Sequence, residues 1–207
     1  VAEGTYGRPG AYIVHVTKGM AIIGGFATGD WLTSLPETQP TVLDAVGTLG
    51  RRGIVVEAGS GGPVWLEGLV VQGGLAAPAA DGGGIYVAGG SVTVHRCKIT
   101  ANTATGTVGG GGGGVFLQAG ALTIRESTIL NNRSYQRGGG VGARAGTLLM
   151  VDSLVEGNTS TKEGGGVLVN GASATLRRNV IRDNSPMGLL VAGGATVADD
   201  NTVEDNQ

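Results

Sequence analysis

The chain has a single cysteine, Cys97, among 207 residues. That excludes an intrachain disulfide and leaves a thiolate metal site without its other ligands. Aromatic residues make up only 4% and prolines number six, so neither a large aromatic core nor a proline-rich linker organises the chain. No apolar run approaches the roughly 20 residues that a membrane-spanning helix needs, and membrane insertion is not expected. Lys and Arg total 14 against 16 Asp and Glu, a formal charge of −2; without a basic excess, nucleic acid is not an expected partner. A start at Val1 with no secretory leader ahead of it is read as a processed chain or a fragment.

What is abundant is glycine, at 42 residues, beside 41% apolar residues. The glycines recur on a period, which argues for a repeat architecture rather than disorder. With the last glycine of each "GGG" as anchor, the series is Gly84, Gly114, Gly140 and Gly166, then Gly188, where "PMG" replaces the triplet. Eighteen residues after each anchor stands an asparagine: Asn102, Asn132, Asn158, Asn184 and Asn206.

Between anchor and asparagine, apolar residues alternate in three short runs. The first run carries Ile85, Val115, Val141, Val167 and Leu189, the second Val94, Ile124, Met150 and Leu176, and the third Ile99, Ile129, Val155, Ile181 and Val203. Period-two alternation marks strands with one buried face. The turn between the first two runs holds Gly90, Gly120, Gly146 or Gly194, with Ala172 in the fourth repeat. From asparagine to the next anchor the gap is variable, which places loops at one corner. The predicted fold is all-β: a single-stranded parallel β-helix of about seven coils, three short strands each, with strands of neighbouring coils about 4.8 Å apart. Five regular coils span 82–207. Residues 1–74 form two irregular coils with a projecting loop near 27–42, all within one domain.

In such a stack the five asparagines form an in-register row that bonds to its copies or to bent backbone, a structural ladder rather than a set of catalytic amides. The glycine triplet is expected to form the positive-φ corner at which each coil opens. It lacks the following helix and the Lys with Ser or Thr that a phosphate loop requires. Cys97, Ser127, Ser153, Asn179 and Asn201 read as an inward stack of small side chains, with Cys97 as filler.

The "GGGI" and "GGGV" openings and the closings "ITAN", "ILNN", "VEGN", "IRDN" and "VEDN" resemble the GGAI and FxxN repeats of polymorphic outer membrane proteins, with Ile or Val in place of Phe. Together with "VAEGTYGRPGAYIVHVTKGMAIIGGFATGDW" and "PTVLDAVGTLGR", they resemble the β-helix regions of bacterial secreted and surface proteins in the pectin-lyase-like superfamily. The resemblance implies a right-handed helix and an extracellular or cell-surface location. It also implies an amphipathic helix ahead of "VAEGTY"; neither that nor a terminal capping element is present in the sequence. Uncapped end coils would expose strand edges, so the expected partners are a second copy stacked end to end or the rest of a longer chain.

Enzymes of that superfamily act on acidic polysaccharides, using Asp clusters that bind calcium and Arg or Lys as base. The place to look is an outer corner, 11 and 12 residues past each anchor: His95 and Arg96, Arg125 and Glu126, Val151 and Asp152, Arg177 and Arg178, Asp199 and Asp200. Arg125, Arg177 and Asp152 are the candidate catalytic residues. His95, Arg125, Arg177, Asp199 and Asp200 are candidates for holding a carboxylated sugar of a surface glycan through Arg forks. The competing reading is a solvated corner of alternating ion pairs. The polygalacturonase-like set Asn-Thr-Asp, Asp-Asp, Gly-His-Gly, Arg-Ile-Lys is missing apart from Asp199 and Asp200.

Two outer files add non-enzymatic options. Tyr86, Phe116, Gly142, Leu168 and Leu190 form an apolar file, either a partner interface or a surface beneath a neighbouring segment. Thr93, Thr123 and Thr175 form a threonine file suited to ice, interrupted by Leu149 and Val197. The expectation is a non-catalytic scaffold, adhesive module or assembly subunit with no cofactor and no metal. A lyase or hydrolase of acidic glycans is the alternative, the only case calling for calcium, and ice binding is a minor one.

Overall fold

A computed structural model describes residues 1–7, 10–47, 49–59, 61–106 and 111–207. Arg8, Pro9 and Thr48 of the quoted N-terminal stretches, and Ser60 of the turn from Gly59 to Pro63, lie outside the described residues. Every strand pairing between named strands is parallel and joins one coil to the next. Three sheets run the length of the molecule, two of seven strands and one of eight. A coil crosses them in order, as in Ile85–Gly89, Ser91–His95 and Lys98–Thr100, and the seven strands in each of the first two sheets correspond to seven circuits of the chain.

Register puts like on like. Ile54, Ile85, Val115, Val141 and Val167 form one inward row, and Val71, Ile99, Ile129, Val155 and Ile181 another, each fully buried. Each such side chain contributes about 1.5–3 kcal/mol of burial, and β-branched residues suit the pleated face. The two irregular coils continue the same sheets through Tyr12–Val16, Met20–Ile23 and Thr41–Asp44, then Arg52–Glu57, Val64–Glu67 and Leu69–Gln72.

Four features differ from the sequence reading. The projecting loop ends at Pro40, because Thr41–Asp44 is the third strand of the first coil, with Thr41 and Leu43 inward. Gly4–Tyr6 pairs ahead of it as an eighth strand. In the fourth regular coil the left-handed turn residue is Gly171, with φ 97°, and Ala172 is buried instead. A short fourth strand follows the asparagine in three coils, at Thr103–Ala104, Arg133–Ser134 and Thr159–Ser160. It forms because the ladder carries its register forward: the Arg133 and Thr159 amides donate to the Asn102 and Asn132 carbonyls at 2.8 and 2.9 Å.

The asparagine ladder is explicit. Asn132 Nδ2 donates to the Ile99 carbonyl of the preceding coil at 2.9 Å and to Asn158 Oδ1 of the next at 3.0 Å. Its own Oδ1 accepts both the backbone amide and Nδ2 of Asn102, each at 3.0 Å. The pattern repeats through Asn158 and Asn184 to Asn206. Below Asn102 the row passes to backbone, with the Gly74 amide donating to Asn102 Oδ1 at 2.8 Å. The stack beginning at Cys97 is a second ladder: the amides of Cys97, Ser127, Ser153 and Asn179 donate in turn to Ser127 Oγ, Ser153 Oγ, Asn179 Oδ1 and Asn201 Oδ1.

The three glycines of each opening answer to different constraints. Only the first is left-handed, with φ 62° at Gly164. A Cβ on the second would stand 2.3 Å from a backbone carbonyl oxygen, as Gly165 does to Ser185. A Cβ on the third would press on the ladder amide, at 3.0 Å in the case of Gly166 and Asn184.

Replacing Asn132 by Ala removes an acceptor from Asn102 and a donor from the Ile99 carbonyl, and is expected to destabilise the fold by about 1–3 kcal/mol in a denaturant titration. Gly164→Asn, which tolerates the left-handed conformation, should cost far less than Gly165→Ala, whose methyl group has nowhere to go. Equal losses in thermal unfolding would show that conformation, not close approach, sets the triplet.

Candidate functional site

The outer corner is built by backbone conformation. Arg96, Glu126, Asp152, Arg178 and Asp200 are all left-handed, with φ from 48° to 53°, a region that ordinary residues rarely occupy. Each precedes a member of the second ladder, so the sharp bend turns the next side chain inward and leaves its own outside. Position 11 is in register from coil to coil: His95, Arg125, Val151, Arg177 and Asp199.

Charges at this corner pair along the axis. Arg178 Nε and a terminal nitrogen donate to the two Asp152 oxygens at 2.7 and 2.8 Å, and this fork holds the Asp152 carboxyl below its usual range. Arg177 lies 4.0 Å from Asp199. The expected grouping of Asp152 with Arg125 and Arg177 therefore gives way to a pair with Arg178, while Arg125 and Arg177 stand on either side of Val151. Asp200 stays exposed at the end of the row.

His95 occupies a denser cluster. Its Nδ1 is 3.6 Å from Glu67 and its Nε2 is 3.4 Å from Glu126, and its ring meets Trp65 edge-on at 5.7 Å. Burial pushes the Glu67 carboxyl up, but hydrogen bonds from Trp65 Nε1 and Arg96 prevail and hold it below its ordinary value. The two glutamates face opposite edges of the imidazole, so they do not converge on a point where one ion could sit. Among the described residues no group of three or more His, Cys, Asp and Glu is arranged to hold a metal ion. His15 lies in another sheet, 2.9 Å from Glu57.

Beside this corner runs a cleft of about 790 Å³, which sequence reasoning did not anticipate. The projecting loop forms one wall through Leu35, Pro36 and Pro40. The outer face of the third-strand sheet forms the floor through Val70, Lys98 and Leu130, and Arg96 and Glu126 stand at the rim. The cleft spans three coils and has the size of small-ligand sites. Only the Pro-containing excursion in the sequence hinted at it.

The two outer files resolve differently. Phe116 and Leu168 are each 1% exposed, so the apolar file lies beneath a neighbouring segment, the variable connection whose glycines Gly112 and Gly164 press on them. Tyr86 stacks on Phe116 at 5.9 Å with the Arg52 guanidinium 4.6 Å over its ring. Phe116 in turn reaches over Gly142. The threonine file is open on the second sheet, with Leu149 and Val197 interrupting it at 38% and 53% exposure.

Comparison with known proteins gives one match. Residues 48–207 fit the family described as "Right handed beta helix region", which covers all but the first irregular coil. No curated protein and no solved structure matches the chain.

Burial pushes the Cys97 thiol up to about 12, against the hydrogen bonds it receives from neighbouring backbone. A thiol reagent at pH 8 should leave Cys97 unmodified in the folded protein and label it fully in guanidinium. Labelling of the native protein at the rate of a free thiol would contradict the burial of Cys97 in the inward stack.

Proposed function

Because this chain belongs to the right-handed β-helix family, we propose that it is a rigid, non-catalytic support on the outside of the cell, which holds a partner on its lateral surface rather than transforming it. The observation that carries this reading is the axial pairing of the corner charges. Arg178 is engaged by Asp152, Arg177 faces Asp199, Arg96 is tied to Glu67, and His95 lies between two glutamates. A general acid and base acting on one bond need to face a shared space across it. Here acids and bases face each other up and down the stack. Rigidity follows from the two ladders, which join coil to coil without a break from Asn102 to Asn206 and from Cys97 to Asn201. End-to-end contact, with a second copy or with the rest of a longer chain, belongs to the same reading, since parallel strands pair coil to coil along the axis.

A second reading, cleavage of an acidic glycan, draws on the cleft, whose rim residues Arg96 and Glu126 belong to the charged corner. Calcium would have to come with the substrate's own carboxylates, given the donor geometry at the corner. Incubation with polygalacturonate and alginate, with and without calcium, is expected to leave the ultraviolet absorbance of unsaturated uronates flat. A calcium-dependent rise that disappears in Arg96→Ala would replace the support by a lyase.

A further inference from the structure

The projecting loop does more than wall the cleft: it holds two large apolar side chains in water. Trp31 is 60% exposed and Leu32 is 95% exposed. The loop that presents them is tied down throughout. The Asp30 amide donates to the Ala27 carbonyl at 3.1 Å, and Asp30 Oδ1 accepts the Leu32 amide at 2.9 Å. Phe26 packs on Trp31 at 5.9 Å. The Leu35 amide and Ser34 hydroxyl anchor the return limb on the Gly25 and Gly24 carbonyls. The same device recurs after the third strand of this coil, where Asp44 Oδ1 accepts the Val46 amide at 2.9 Å and Val46 is 64% exposed.

We propose that the Trp31–Leu32 tip docks the molecule on a lipid surface, inserting at the boundary between zwitterionic headgroups and acyl chains. Three features select this partner. Leu32, 95% exposed, is almost wholly free of neighbours, whereas a protein hot spot sits within a surrounding ring of contacts. A sugar would stack on the indole but has no use for the leucine, while an apolar phase takes both, and tryptophan favours the headgroup level. Residues 24–40 contain Asp30 and Glu37 but no Lys or Arg, so there is no attraction for anionic lipid, and Asp30 is turned back into the loop. Two side chains at the end of a loop reach no deeper than the headgroup boundary, so attachment through this tip is peripheral.

Flotation of the full chain with phosphatidylcholine vesicles tests this. The double variant Trp31→Ser with Leu32→Ser should float more than about tenfold less than the parent, as expected from the lost apolar area, with an unchanged melting temperature because neither side chain is in the core. In a Trp65→Phe background, whose fold is checked by circular dichroism, emission from Trp31 should shift to the blue on adding vesicles. The inference is overturned if the parent fails to float or the double variant floats equally. It also fails if Trp31 emission responds to soluble oligogalacturonides and not to vesicles. The glycan incubations bear on catalysis alone, so either conclusion can fail without the other.

Discussion

The in-register amide row is the interaction on which the rest of this structure depends. A buried carboxamide is tolerable only when its donors and acceptor are met. Each interior asparagine achieves this by reaching back to a strand carbonyl of the preceding coil and forward to the amide oxygen of the next. That arrangement works at one spacing, the separation of hydrogen-bonded strands, and only if every coil places its asparagine at the same point. The eighteen-residue interval from glycine to asparagine is therefore a consequence of hydrogen bonding. The interval from asparagine to the next glycine lies outside the bonded row and is free to vary.

The constraint spreads to residues that make no bond in the row. The residue before each ladder position must bend the chain through a left-handed conformation, which Ala101, Asn131, Gly157, Asp183 and Asp205 do ahead of the asparagines. The residue after it lies so close to the triplet that opened the same coil that only hydrogen atoms fit between Gly139 and the Thr159 carbonyl. Glycine is thus demanded by a neighbour 20 residues further along the chain as much as by local torsion. Stacked rows also remove choice inside the core, where a change of size in one coil is felt by the coils above and below.

These relations explain what could be read from the amino-acid sequence. The five regular coils were legible because a constraint repeated at equal intervals leaves identical residues at equal intervals, and Asn102 to Asn206 are its record. Thr41–Asp44 was not, because one inward leucine and a threonine behind Pro40 do not make a period. Gly4–Tyr6, with all three residues exposed, carries no alternation at all. The second ladder read only as a stack of small side chains, with Cys97 as filler, because its members change chemistry from Cys to Ser to Asn, although each accepts or passes on a backbone amide in the same place. Which partners the candidate residues at the corner take depends on side-chain direction, which the sequence does not carry. A left-handed Arg178 reaches the Asp152 of its own file, while Arg177, one residue earlier on the strand, faces Asp199.

The same reasoning says where function has room in such a molecule. Within a coil, successive outward residues are about 7 Å apart along the strand, and between coils they are about 4.8 Å apart. Opposite charges on this grid therefore meet most readily up and down the stack, as Arg182 does with Glu156 at 3.0 Å and Arg137 with Glu163 at 3.0 Å. A regular coil has no means of setting two groups face to face across a gap. Only an excursion from the grid can do that. The one between Gly24 and Thr41 supplies a wall opposite the third-strand sheet and a tip that leaves the grid altogether. Selection acting on binding would find its variation there and in the connections after each asparagine, while the ladders hold the surface beneath them still.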